Sequence, residues 1–114
     1  MLIDAAMLLA NTKIPTDREG YLKDLSHWSA QAAEEIATIE GIVLTENHWE
    51  IIRLLRSLHK EYEHTPITRV FIKIMSARLG KDKGTSLYLL KLFPDSPMRK
   101  ACKIAGLPKP TNCM

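Results

Sequence analysis

The sequence predicts a mainly α-helical protein with a compact helical domain, a small N-terminal β-hairpin and an extended C-terminal arm. Apolar residues recur at helical spacing in successive segments, and Gly, Pro or a capping residue bounds each segment. The last nine residues, GLPKPTNCM, contain two prolines that forbid a regular helix. With 114 residues, 46% of them apolar, the chain suffices for one domain with a single core. We therefore expect a helical domain over residues 1–106 and an arm over residues 107–114.

The first two elements are a hairpin and an alanine-rich helix. Within residues 1–24, short apolar runs are separated by the turn residues Pro15, Asp17 and Gly20, which predicts the hairpin. The stretch SHWSAQAAEEIATIEG then predicts a helix that ends at Gly41, because glycine is the residue type most common just past a helix end.

The clearest helix is predicted within TENHWEIIRLLRSLHKEYEHTP. Thr45 is a suitable N-cap, and the pair Thr65-Pro66 stops the helix. An apolar stripe runs along one face of this helix and consists of Trp49, Ile52, Leu55, Leu58 and Tyr62.

Three further helices are predicted in the C-terminal half. PITRVFIKIMSARLG repeats the apolar spacing, and TSLYLLKLF follows the turn GKDKG and ends before a proline. Ser96 and Pro97 form a helix-start signature for the last helix, PMRKACKIAG, which ends at Gly106. Beyond it, Pro108 and Pro110 favour an extended arm.

Charge is unevenly distributed, although the net charge is only +3. Residues 1–66 contain six Lys or Arg and eleven Asp or Glu, whereas residues 67–114 contain ten and two. The C-terminal half therefore either contacts an anionic partner, nucleic acid or an acidic protein face, or presents a solvated basic face.

One interpretation of the basic C-terminal half is that the protein is a DNA-binding regulator with a helix-turn-helix at residues 67–79 and 85–92. Phosphate contacts would then come from Arg69, Lys73, Arg78, Lys81 and Lys83. The turn is long for that motif, and no helix rich in Asn, Gln and Arg follows it. We therefore keep this reading as a lesser alternative.

Other functional classes find little support. No Ser/His/Asp order, Gly-rich phosphate loop or paired-carboxylate signature indicates a free-standing enzyme, so a carrier on which other enzymes act fits better. His59 and His64 are five residues apart, which places them on different sides of a helix, and we expect neither a metal site nor a cofactor. The apolar start MLIDAAMLLA contains Asp4 and is too short for a membrane span, which favours a cytoplasmic protein without membrane insertion.

The two cysteines, Cys102 and Cys113, are eleven residues apart, which fits neither a C-x-x-C redox motif nor a zinc pair. In a reducing compartment we expect redox or catalytic thiols, although Cys102 also suits a small buried side chain. The seven residues after Gly106 reach on the order of 20 Å when extended. Cys113 could therefore fold back to Cys102 or enter another protein's active site. Lys100 and Lys103, beside Cys102, would favour its thiolate.

Several segments resemble the TusE/DsrC (DsvC) family of sulfur relay proteins. The most specific is ACKIAGLPKPTNCM, with a penultimate cysteine after G-L-P-K-P. The likeness continues upstream in EGYL, EGIVLTENHWEIIRLLR, TPITRV and LGKDKGTSLYLLKLFP, and covers nearly the whole chain from about residue 15. Asn112 and Ser96 depart from it, since glycine is usual at both positions.

The resemblance implies a helical fold with a small hairpin and a mobile arm, in which Cys113 accepts sulfur as a persulfide and passes it on. TusE-like members take sulfur from TusBCD and hand it to the tRNA 2-thiouridylase MnmA. DsrC-like members serve dissimilatory sulfite reductase with two cysteines, a pattern that Cys102 matches as a second redox thiol. We favour the TusE branch, because GYLKDLSHWS and NHWEIIRLLR read more like TusE.

Partner contacts are also expected from the basic half. We expect docking charges on the last helix and the arm, at Arg99, Lys100, Lys103 and Lys109. The likeness to family members with a similar helical pair leaves weak nucleic-acid contact open as a second role.

Overall fold

The computed structural model describes residues 7–110, which form one short hairpin, a 3₁₀ turn and five helices. The 3₁₀ turn at Leu25–His27 leads into the first helix. The helices are α1 (Ala30–Ile39), α2 (Glu46–Tyr62), α3 (Thr68–Leu79), α4 (Ser86–Leu92) and α5 (Pro97–Ile104). The predicted mainly α fold with a small N-terminal hairpin is confirmed.

The hairpin pairs β1 (Met7–Leu8) with β2 (Pro15–Thr16) in antiparallel orientation. The turn after β2 is closed by Asp17, whose Oδ1 accepts the backbone N–H groups of Glu19 at 2.9 Å and Tyr21 at 3.0 Å. An Asp side chain closes turns in this way because it can bond the backbone two residues further along the chain. The turn brings Tyr21 against α5, where its side chain is buried.

The predicted helix end at Gly41 and the predicted cap at Thr45 form, and Ser29 adds a cap at the start of α1. The hydroxyl of Ser29 accepts the N–H of Ala32 at 3.1 Å, and Gly41 ends α1 with φ of +77°. Thr45 precedes α2 in extended conformation, and its N–H donates to Nδ1 of His48 at 3.1 Å. Each contact satisfies a backbone group that a helix end leaves unpaired.

His48 is a buried side chain that joins two helices. Its Nε2 lies 2.8 Å from the carbonyl oxygen of Leu92, at the end of α4. A carbonyl can only accept, so Nε2 carries the proton and Nδ1 accepts from Thr45. The ring also meets Phe93 edge to face, with centroids 5.2 Å apart. His48 therefore fixes the start of α2 against the end of α4.

α5 lies at the centre of the packing and contacts α1, α2 and α4. The stripe predicted on α2 packs toward this core, with Ile52, Leu55 and Leu58 buried and Trp49 partly buried. Tyr62, the last residue of the stripe, is 56% exposed because it lies one turn beyond the last core residue of α2. The buried residues of α5 itself are Met98, Ala101, Cys102 and Ile104.

Candidate functional site

Cys102 is held inside the core on α5 and is fully buried. Its Sγ lies 4.0 Å from Oγ1 of Thr65, in the loop between α2 and α3. Cys113, the other predicted thiol, lies outside the residues that the structure describes. The site can therefore be built from Cys102, from the end of α5 and from arm residues 107–110.

The end of α5 has a defined geometry. Gly106 adopts φ of +74°, the N–H of Leu107 donates to the carbonyl of Cys102 at 2.9 Å, and the N–H of Gly106 donates to that of Lys103 at 3.1 Å. This pair of bonds is the Schellman motif, in which a left-handed glycine reverses the chain direction after a helix. Leu107 is buried, so the arm begins anchored to the core. The predicted helix end at Gly106 is confirmed.

Two side chains from distant parts of the chain bind the last carbonyls of α5. Nε1 of Trp28 donates to the carbonyl oxygen of Ile104 at 2.9 Å, and Nη1 of Arg56 donates to that of Ala105 at 2.7 Å. The guanidinium of Arg56 also stacks on the Trp28 ring, 3.8 Å from its centroid. We call this group the arm-root clamp: Trp28, Arg56 and the carbonyls of Ile104 and Ala105.

The arm-root clamp is electrostatically favourable. The carbonyl end of a helix carries partial negative charge, and a cation there is stabilised. Burial lowers the pKa of the Arg56 guanidinium from its ordinary value, but an arginine remains a cation in a protein. Gly106 completes the fit, because a Cβ at this position would lie 2.2 Å from Cδ1 of Trp28.

A cleft of about 330 Å³ lies between the end of α2 and the arm. Glu63 is left-handed, with φ of 63°, and ends α2. This turn brings His59 and His64 to the same cleft, so the expectation that they face different sides of one helix was wrong. Thr65 lines the cleft and also contacts Cys102, so one residue separates the cleft from the buried thiol. The arm side of the cleft is formed by Pro108, Lys109 and Pro110.

Two of the predicted docking charges share a single carboxylate. Nζ of Lys109 lies 3.2 Å from Oε1 of Glu19, and Nη2 of Arg99 lies 4.0 Å from Oε2 of the same residue. All three side chains are between one third and one half exposed. A partner that uses Arg99 or Lys109 must therefore compete with Glu19.

The other two docking charges face acidic residues of the same chain. Nζ of Lys103 lies 2.9 Å from Glu40, and both side chains are largely buried. Nζ of Lys100 lies 3.8 Å from the exposed Asp95. The docking role of all four basic residues stays a prediction.

Tyr21 supports α5 from the hairpin side. Its hydroxyl donates to the carbonyl of Arg99 at 3.3 Å, and Nζ of Lys103 lies 5.2 Å from its ring centroid. Burial raises the pKa of Tyr21 from 10.0 to about 12, and this effect outweighs the opposing influence of Arg99. The phenol therefore stays neutral at physiological pH.

Two further observations concern residues 7–110. No helix among them is long and apolar enough to cross a membrane. They also contain no group of three or more His, Cys, Asp or Glu side chains suited to hold a metal ion.

Sequence reasoning missed the arm-root clamp. Trp28 lies just before the cap of α1, a position typical of a packing residue. Arg56 carried a clearer signal, because it follows the buried Ile52 by four residues and so lies on the apolar face of α2. A charge on such a face needs a buried partner.

The fold and this site define a class: a small helical protein in which a core helix carries a buried thiol and a clamped C-terminal arm. The family described as "DsrC like protein" matches residues 8–114, and the chain belongs to this family. The predicted resemblance is thus confirmed.

Two relatives that match nearly the whole chain carry the same name. The chain is 47% identical over 103 residues to "Sulfurtransferase TusE" of Sodalis glossinidius, covering 90% of this chain and 95% of that protein. It is 44% identical over 108 residues to the protein of that name from Escherichia coli K12, covering 95% and 99%.

Solved structures of DsrC proteins share the fold. The NMR structure of Allochromatium vinosum DsrC aligns with a TM-score of 0.84 and 42% identity, covering 96% of this chain and 97% of that one. The oxidized gamma-subunit of the dissimilatory sulfite reductase (DsrC) from Archaeoglobus fulgidus aligns with a TM-score of 0.81 and 37% identity, covering 96% and 99%.

Proposed function

We propose that the chain is a sulfur carrier that accepts sulfur on Cys113 and relays it to a partner protein. One observation carries this proposal: the family match extends to residue 114 and so includes the arm with its penultimate cysteine. The name sulfurtransferase, given to relatives that match nearly the whole chain, supports the same function. The proposal includes the division into a helical sulfur-relay domain over residues 1–106 and a flexible arm over residues 107–114.

The chemistry needs no cofactor. The Cys113 thiolate attacks the terminal sulfur of a persulfide on the donor, the donor's S–S bond breaks, and the donor leaves as a thiolate. Cys113 then holds the persulfide until an acceptor thiolate attacks the same terminal sulfur and releases the Cys113 thiolate. Each step exchanges one S–S bond for another, so neither step needs an external oxidant or reductant.

The geometry of the described residues supports a presenting role for the arm. The Schellman motif and Leu107 anchor the arm to the core, and the prolines that follow restrict its backbone. An arm anchored at one end can present its terminal thiol outside the body of the protein. A buried thiol such as Cys102 cannot enter a partner's active site without rearrangement of the core.

We propose the TusE branch as the pathway, with a TusBCD-like donor and an MnmA-like acceptor that holds tRNA. The names of the curated relatives favour this branch. The relay would operate in the cytoplasm, where the reducing environment keeps thiols available.

The test is the 2-thiouridine content of tRNA, measured by mass spectrometry, in the host carrying Cys113→Ser. We expect the modification to be lost, while the purified variant keeps the helical circular dichroism and thermal midpoint of the parent protein. The matched control is Cys102→Ser, which we expect to keep the modification. Normal thiolation in Cys113→Ser would overturn the tRNA branch.

A DsrC-like role with dissimilatory sulfite reductase is the second candidate, and one observation favours it. Cys102 contacts Thr65, which lines the cleft beneath Pro108 and Pro110, so a second thiol lies just behind the arm. In that role Cys102 and Cys113 would act as a pair. Normal thiolation in Cys113→Ser, together with loss of sulfite-dependent sulfur transfer in both cysteine variants, would establish it.

A further inference from the structure

We propose that Arg56 and Trp28 are positioning residues, which fix the direction in which the arm leaves α5 and so place the C-terminal thiol for transfer. This inference rests on the proposed function for the role of Cys113. It assigns to two residues, 57 and 85 positions before that cysteine, a part in a reaction that neither of them touches.

The contacts of the clamp lie where the chain reverses direction after α5. The two carbonyls that the clamp binds belong to Ile104 and Ala105, the last residues before the reversal at Gly106. Carbonyls at a helix end have no partner within the helix and would otherwise bond water. Here the partners come from α2 and from the residue before the α1 cap, so the reversal is fixed to both elements.

The two donors of the clamp, Trp28 and Arg56, are held in place by their packing. The Trp28 indole packs directly against the backbone of Gly106, with no room for a Cβ between them. The guanidinium of Arg56 lies over that indole, with Cζ 3.8 Å from the ring centroid, and bonds Ala105 at 2.7 Å, so each donor holds the other in place. A guanidinium combines this stacking with a directed N–H bond, which an ammonium does not reproduce.

The side chain of Arg56 can be shortened or neutralised without removing other described contacts of the arm. Arg56 makes no described contact with the arm beyond Ala105, and the fold of α2 does not require a charge at this position. Loss of the clamp should therefore loosen the reversal without unfolding the body. Arg53 provides a matched control, since it lies one turn earlier on α2, is 61% exposed and bonds Glu46.

The structural test is amide hydrogen exchange, measured by NMR on the full chain. We expect the Leu107 amide, relative to the Leu55 amide within α2, to exchange at least tenfold faster in Arg56→Met and in Trp28→Phe. Arg53→Met should leave this ratio unchanged. Arg56→Lys keeps the charge and the long stem, and it serves as the milder variant should Arg56→Met fold poorly.

The functional test uses the same variants in the host and measures 2-thiouridine in tRNA. We expect at least a fivefold loss in Arg56→Met and none in Arg53→Met. In a Cys102→Ser background, the reaction of Cys113 with Ellman's reagent should stay within twofold of the parent rate. A positioning defect spares a small reagent that approaches from any direction, whereas damage to the thiol itself does not.

Three results would overturn the inference. Unchanged exchange at Leu107 would show that the clamp does not hold the reversal. Faster exchange with undiminished thiolation would show that the held direction has no role in transfer. Normal thiolation in Cys113→Ser would overturn the tRNA branch of the proposed function, and the positioning role in tRNA thiolation with it. Failure of the clamp alone is distinguishable, because Cys113→Ser would then still be defective.

Discussion

Substitution of Gly106 by alanine should destabilise the protein far more than the same change at Gly41. Both glycines end helices in the left-handed region, with φ of +74° and +77°. A left-handed conformation costs an L-residue about 1–2 kcal/mol. At Gly41 nothing lies within 4 Å of an added Cβ, so this conformational term is the whole cost.

At Gly106 a steric conflict with Trp28 adds to the conformational cost. The new methyl would lie 2.2 Å from Cδ1 and 2.6 Å from Cγ of Trp28, so the indole must move. Its movement breaks the hydrogen bond to Ile104, worth about 1 kcal/mol, and overpacks the site by about 1–2 kcal/mol. We therefore expect Gly106→Ala to lower the free energy of unfolding by about 3–5 kcal/mol, against about 1–2 kcal/mol for Gly41→Ala.

The assay is urea unfolding of both variants, followed by circular dichroism. With a slope of about 1–3 kcal/mol per molar urea, the midpoint of Gly106→Ala should lie roughly 1 M or more below that of Gly41→Ala. Equal midpoints would refute the reasoning, because they would mean that Trp28 yields to a methyl group without loss. Gly106→Ala in a Trp28→Ala background should recover part of the steric term.

Three other perturbations follow from the contacts of single side chains. The pKa of Tyr21 is raised from 10.0 to about 12 in the folded state, so its contribution to the free energy of unfolding is complete below pH 10 and falls as the pH rises to 12. Over this pH range, urea titrations should show that the parent loses about 2–3 kcal/mol more unfolding free energy than Tyr21→Phe. His48→Ala removes two hydrogen bonds and leaves a cavity, so thermal unfolding should show that the free energy of unfolding falls by about 2–4 kcal/mol. A fall of less than about 0.5 kcal/mol would contradict the role of His48 in joining α2 to α4. Glu19→Gln should change the free energy of unfolding by less than about 1 kcal/mol, because the ion pairs that it removes are exposed. It should also strengthen the binding of Arg99 and Lys109 to an acidic partner. If the salt sensitivity of that binding is unchanged, this would count against the docking role of the two residues.

Much of the fold is readable from local sequence because its boundaries are set by local chemistry. Thr45, Ser96 and Gly106 each stand where a helix begins or ends, and each was predicted from the preferences of its own residue type. The predicted turn residues around Asp17 do form a turn, but it follows β2. The β1–β2 hairpin itself reverses within residues 9–14, ahead of them.

The site is less readable because its contacts join residues that are far apart in sequence. The hydrogen bonds from Trp28 and Arg56 to α5 span 76 and 49 residues, and no periodicity within one segment records them. The shared cleft of His59 and His64 depends on the left-handed Glu63, a conformation uncommon for a residue other than glycine. Helical spacing alone therefore gave the wrong relative orientation of the two imidazoles.

The reversal at Gly106 acts as the pivot of a lever. A chain of seven residues spans about 20 Å when extended, and a rotation of about 10° at the pivot displaces a point at that distance by about 3.5 Å. Reacting atoms must approach to about 3–3.5 Å, so on the proposed function a rotation of this size would displace the thiol by as much as the whole distance across which it reacts. On the proposed function, a partner that contacts only the end of the arm would therefore still be sensitive to substitutions at Trp28 and Arg56, which it never touches.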